Sequence, residues 1–151
     1  MTYLYEGMFL VDNDLVRADW ARAKSMVTNM LTKHGGTVRT ARRWDERALA
    51  YPIKGRRRGT YILTYAELPG SSMENLKRDL DLTEGVLRYI ILRKDEIPAT
   101  EGDLATAEQA PDFVVPVPPT DDSVPYQPLQ GLNFSGDDMD DDDDMDMEDM
   151  R

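Results

Sequence analysis

The run RALAYPIKGRRRGTYILTY (residues 47–65) sets two strand-like segments around a turn that holds one lysine and three consecutive arginines. Its second half continues to Leu68 through aromatic, aliphatic and threonine side chains, and Pro69-Gly70 ends it. Its first half extends back to Thr37 as TVRTARRWDERALAYPI, interrupted around Asp45 and Glu46 and closed by Pro52. A basic hairpin is therefore expected in the middle of the folded part.

Upstream, YLYEGMFLV (3–11) reads as another strand. Asp12, Asn13 and Asp14 then offer N-caps for a helix over 15–34. Val16, Trp20, Ala23, Val27, Met30 or Leu31, and His34 recur there at three- and four-residue steps, which is one helix face. Gly35-Gly36 can adopt the left-handed C-cap that stops it. Downstream, Ser71 and Glu74 have capping-box spacing, and Met73, Leu76 and Leu80 mark a second helix. Gly85 ends that turn and VLRYIILR (86–93) supplies the fourth strand. The order is β-α-β-β-α-β. Right-handed crossovers leave one compact α+β solution, a four-stranded antiparallel sheet with two helices on one face, the ferredoxin-like arrangement.

The net charge of −11 averages two unlike pieces. Residues 1–98 carry 17 Lys and Arg against 13 Asp and Glu, a net of +4. Residues 99–151 carry one Arg against 16 acids, a net of −15, and seven of the nine prolines lie from Pro98 onward. Proline removes backbone donors and packed aspartates repel one another, so neither stretch builds a core. The expected organisation is a domain over 1–98, a Pro-rich linker over 99–136 and a disordered Asp-rich acidic tail over 137–151. The apolar island VPYQPLQGLNF (124–134) reads as inert linker, with a docking motif as the alternative.

Two helices cover one face of a sheet, yet both faces here are apolar. Tyr61, Leu63 and Tyr65 alternate with Ile62, Thr64 and Ala66 in the third strand. Arg88, Ile90 and Leu92 alternate with Tyr89 and Ile91 in the fourth, and Leu4, Met8 and Leu10 alternate with Tyr5, Phe9 and Val11 in the first. Tyr61, Leu63, Tyr65, Ile90 and Leu92 are thus expected to form an uncovered patch that contacts a partner protein.

Eight cations fall between Arg39 and Arg58, offset only by Asp45 and Glu46. Seven of them are arginines, whose planar fork suits phosphate oxygens and stacking on bases. Nucleic acid is the expected partner, with Arg42, Arg43, Arg47, Lys54, Arg56, Arg57 and Arg58 as contacts. No helix is basic along one face, so a major-groove reader is not expected; a sheet with aromatics and a basic hairpin favours RNA.

Catalysis has little to draw on. There is no cysteine, and His34, the one histidine, sits at a helix end without an evident partner. No P-loop, GxSxG or HExxH pattern occurs, and residues 137–149 lack the glycine bend and spaced ligands of a calcium loop. A non-enzyme with no cofactor, metal or small-molecule substrate is expected. Neither a signal sequence nor a membrane-spanning run is evident, so the location expected is the cytoplasm.

Tyr5-Glu6, the first helix ending in glycine, Trp44-x-x-Arg47-x-Leu49-Ala50-Tyr51-Pro52-Ile53, the basic loop, Gly59, Tyr61 and Val86-x-Arg88 together resemble bacterial small ribosomal subunit protein six. The match covers about residues 2–97; Asp45, Glu46 and Gly7 depart from the residues usual in that family. The resemblance implies a ribosome-associated structural protein that binds 16S ribosomal RNA in the subunit platform together with small-subunit protein eighteen. It adds Arg88 to the RNA contacts. The alternative is a ferredoxin-like adaptor that binds a protein through its open sheet face, with arginines serving solubility alone.

Overall fold

The structure, a computed structural model, describes residues 1–120. The acidic tail, the apolar island and the end of the linker lie outside the described residues. Four strands, β1 (Thr2–Asp12), β2 (Thr37–Ile53), β3 (Arg56–Pro69) and β4 (Val86–Lys94), form one sheet in the order β2-β3-β1-β4. Every neighbouring pair is antiparallel. Helices α1 (Asn13–Ala18), α2 (Trp20–Lys33) and α3 (Met73–Leu82) complete the expected arrangement.

The alternation read from the sequence sorts the two faces. Phe9 and Val11 of β1 and Ile62, Ala66 and Leu68 of β3 bury against Val27 and Leu31 of α2 and Leu76 and Leu80 of α3. Each of the larger side chains contributes about 1.5–3 kcal/mol by leaving water, and the Ala66 methyl about 0.8. Gly7 makes room for one of them: a Cβ there would lie 2.6 Å from the Phe9 ring, which fills the space a larger residue would occupy.

The first helix is not continuous. Asp19 has extended backbone (φ −167°) and splits it into α1 and α2, its carboxylate accepting from the Arg22 backbone N–H at 3.1 Å. A second N-cap inside the periodic run thus outcompetes the one backbone hydrogen bond that continuity would add. At the far end Gly35 (φ +83°) and Gly36 donate to the Thr32 and Leu31 carbonyls, the paired bonds of a Schellman stop. His34 sits at that stop with Nε2 2.7 Å from Asp79 Oδ2 of α3. The capping box expected at Ser71 and Glu74 does not form. Gly70–Ser72 is a 3-10 turn instead, and the Ser72 hydroxyl donates to the Pro69 carbonyl at 2.7 Å.

A larger difference follows β4. A linker was expected from residue 99, but Glu101–Glu108 forms a helix, α4, on β2. Because β4 and β2 are opposite edges of the sheet, residues 95–100 carry the chain from one edge to the other. Beyond α4 the chain continues along the body. The Pro119 carbonyl accepts from Arg17 Nη1 at 2.9 Å and from Asn13 Nδ2 at 3.4 Å.

Candidate nucleic-acid interface

Local chemistry shapes the hairpin first. Ile53 pairs with Arg56, and the two residues between them, Lys54 and Gly55, have φ of 50° and 80°. Two positive values make a type I′ turn, whose twist matches a right-handed ribbon. Further back, four residues of β2 (49–52) stand opposite the single Arg57 of β3, between the pairs Ala48–Arg58 and Ile53–Arg56. A bulge of this kind bends the strand and re-aims side chains, and it gives Pro52 a place where no ladder donor is required.

The bend turns Leu49 inward onto Leu10 of β1 and Leu87 of β4, with Ile53 and Tyr61 beside them, as a second apolar cluster on the face the helices leave bare. Gly59 permits this approach, since a Cβ there would stand 2.5 Å from Leu10 Cδ1. Lys54 Nζ reaches across to the Val86 carbonyl at 3.1 Å, and the Arg88 guanidinium lies 5.3 Å from the Tyr51 ring centre. The distal hairpin is therefore folded over one end of the open face and tied to β4.

The expected RNA contacts divide into two sets. Arg42 and Arg58 are largely buried and internally neutralised. Arg42 donates from Nε and Nη2 to Glu101 at 2.8 Å each, an arrangement that raises its pKa, and Arg58 makes the same two-pronged contact with Glu46, also at 2.8 Å. Glu46 further accepts from Asn13 Nδ2 at 2.9 Å, and Asn13 accepts from the buried Thr60 hydroxyl at 2.7 Å. In this structure both forks are taken up inside the body by Glu101 and Glu46, so neither arginine is presented on the outer surface of the hairpin.

The other cations face outward. Arg47 stacks over Trp44 at 4.4 Å and donates to Asp45, which lowers the Asp45 pKa. Arg56 lies 2.7 Å from Asp14 and 3.3 Å from Asp12. Ion pairs as exposed as these contribute little to stability, so a phosphate can compete for the same guanidinium. Lys54 and Arg88 are exposed; Arg43 and Arg57 are half-buried, and the Arg43 backbone N–H donates to Glu108 of α4.

The expected protein patch also divides. Leu63 and Tyr65 are 6% and 3% exposed, so neither is available to a partner. Tyr65 donates to Glu6 and its pKa is raised, chiefly by burial and then by that bond. Tyr61 is half-buried with Trp44 against it at 5.7 Å, in perpendicular rings. Ile90 and Leu92 on β4 stay open at 56% and 48%. Trp44 and Tyr51, which carry no separate signal of their own in the sequence, each meet a guanidinium here, and the Trp44-x-x-Arg47 spacing is the pattern that marks the first of these pairs. Glu101 and Glu108 were missed because their partners lie 59 and 84 residues away.

A family model described as Ribosomal protein S6 matches residues 4–93. Small ribosomal subunit protein bS6 of Fusobacterium nucleatum is 32% identical over 91 residues, covering 60% of this chain and 97% of that protein. Its counterpart from Protochlamydia amoebophila is 38% identical over 96 residues, covering 62% and 82%. Among solved structures, 30S ribosomal protein S6 from Thermotoga maritima superposes with a TM-score of 0.55 at 21% identity, covering 72% of this chain and 96% of that one, which shows a common fold.

Proposed function

The chain belongs to the Ribosomal protein S6 family, and on that basis we propose that it binds 16S ribosomal RNA, beside small-subunit protein eighteen, through the outer surface of its β2–β3 hairpin. Membership makes it a structural constituent of the small ribosomal subunit in the bacterial cytoplasm, and not an enzyme. The observation that carries the RNA reading is the pairing of cations with exposed aromatics on the curled hairpin, Arg47 on Trp44 and Arg88 on Tyr51. Guanidinium and aromatic planes offer both phosphate contact and base stacking. Lys54, Arg56 and Arg57 extend the same surface around the turn. Ile90 and Leu92, open on β4 at the opposite edge of the sheet, suit the contact with protein eighteen.

The test is the salt dependence of binding by the full chain, with protein eighteen, to a transcript of the 16S platform region. Replacing Arg47, Arg56 and Arg57 together by alanine should lower the slope of log K against log salt by about 2–3, since each phosphate contact adds about 0.7–0.9. An unchanged slope would remove the hairpin from the account. Ile90→Asp should weaken association with protein eighteen and leave that slope alone. An effect on neither would favour a different protein-facing surface.

A further inference from the structure

The edge of β2 is occupied by this chain's own α4, and what holds α4 there is mostly charge. Glu101 takes the Arg42 guanidinium at 2.8 Å on the open face of the sheet. Two turns later Glu108 takes Lys24 Nζ of α2 at 2.8 Å and the Arg43 backbone N–H of the edge itself. Apolar anchoring is slight: of the α4 residues only Glu101 and Ala105 are buried. The fit beneath it is incomplete, because a cleft of about 430 Å³ lies between α4, α2 and β2, and Thr40 Oγ1 on its wall is buried with no hydrogen-bond partner among the described residues. An orphaned hydroxyl of this kind costs stability that a better-seated helix would recover.

Everything α4 satisfies is a donor that also serves a phosphate oxygen: a guanidinium fork, an ammonium and an edge N–H. Arg39, ion-paired with Glu67 at 2.8 Å, lies on the same cleft. We infer that the β2 edge beneath α4 is a second RNA-backbone site, masked by the two carboxylates of α4 and opened when phosphates displace them. This inference rests on the RNA reading above and extends it to a surface that reading leaves covered. The exchange is a balanced one. Two anions leave, two or more phosphates arrive, and the buried Arg42 charge is never left alone, which makes the substitution accessible where simple removal of α4 is not.

The test uses hydrogen–deuterium exchange on the full chain, free and bound to the 16S platform transcript with protein eighteen. Amides of residues 102–108 should exchange at least about tenfold faster in the complex, while those of β1 and β3 keep their rates. Slower or unchanged exchange in α4, with RNA demonstrably bound, overturns the masking and leaves the hairpin reading standing. A second arm compares Glu101→Gln with Glu108→Gln in one chain against the exposed-site control Asp103→Asn. The double variant should bind RNA about tenfold or more tightly with the parental salt slope, because both complexes make the same phosphate contacts, and the control should match the parent. A double variant that binds no more tightly than the parent also overturns the proposal. Absence of RNA binding by parent and variants at every ionic strength overturns both readings together.

Discussion

Leu49→Ala is the sharpest probe of the curled hairpin. Leu49 is 5% exposed and touches Leu10 and Leu87 across the sheet, so it is the peg that holds the distal ribbon down. Truncation removes three carbon groups, about 2.4 kcal/mol at about 0.8 each. A residual cavity adds about 24 cal/mol per Å³, but the ribbon can settle into the space, which keeps this addition small. The expected loss is about 2.5–3 kcal/mol. With m near ~1.2 kcal/mol per M, the urea midpoint followed by tryptophan fluorescence should fall by about 2 M at constant m. Ile90→Ala, on a side chain more than half exposed, serves as the comparison and should cost less than about 1 kcal/mol. A Leu49→Ala loss below that of Ile90→Ala would refute the idea that the hairpin rests on Leu10 and Leu87.

Three further outcomes are expected. Gly59→Ala places a Cβ 2.5 Å from Leu10 Cδ1 and should destabilise by about 1–3 kcal/mol in the same urea assay. Glu46→Ala strips the buried Arg58 of its two-pronged partner and should cost about 3–5 kcal/mol, whereas Asp45→Ala, beside the exposed Arg47, should leave the thermal midpoint nearly unchanged. Burial, followed by the bond to Asp81, pushes the Tyr89 hydroxyl up to about 12. Its folded value lies above the unfolded one of about 10, so its contribution is complete below pH ~10 and disappears as pH rises through about 12. Tyr89→Phe should flatten that alkaline decline in stability, and tyrosinate absorbance should show one fewer late-titrating group.

The element order, the register of the two faces and the basic hairpin were legible because each rests on local pattern: alternation, periodic apolar steps, and glycine or proline at the ends. The hairpin's fold-back was not. Leu49 reads as an ordinary strand residue until the bulge at 49–52 redirects it, and a bulge that depends on where Arg57 pairs has no single-strand signature. For the arginines the difficulty was distance. Arg42 and Arg57 look alike in sequence, yet a carboxylate 59 residues away makes Arg42 part of the interior. Glu46, one of the two anions set among the eight cations, is the inward partner of Arg58. Helix α4 escaped notice because EGDLATAE shows no apolar stripe and sits between prolines. Charge and an edge N–H hold it, and periodicity does not report either.

The route of residues 95–108 also bears on how the chain is made. The outer edge of β2 is complete once Ile53 has been synthesised, but its cover arrives only with Glu101–Glu108, some fifty residues later. Until then a nascent chain displays an unpaired row of backbone donors and acceptors, the template on which strands of neighbouring chains can stack. A truncated product ending near Pro98 would keep that template permanently, so self-association of such fragments on crowded polysomes is the cost of placing the cover last.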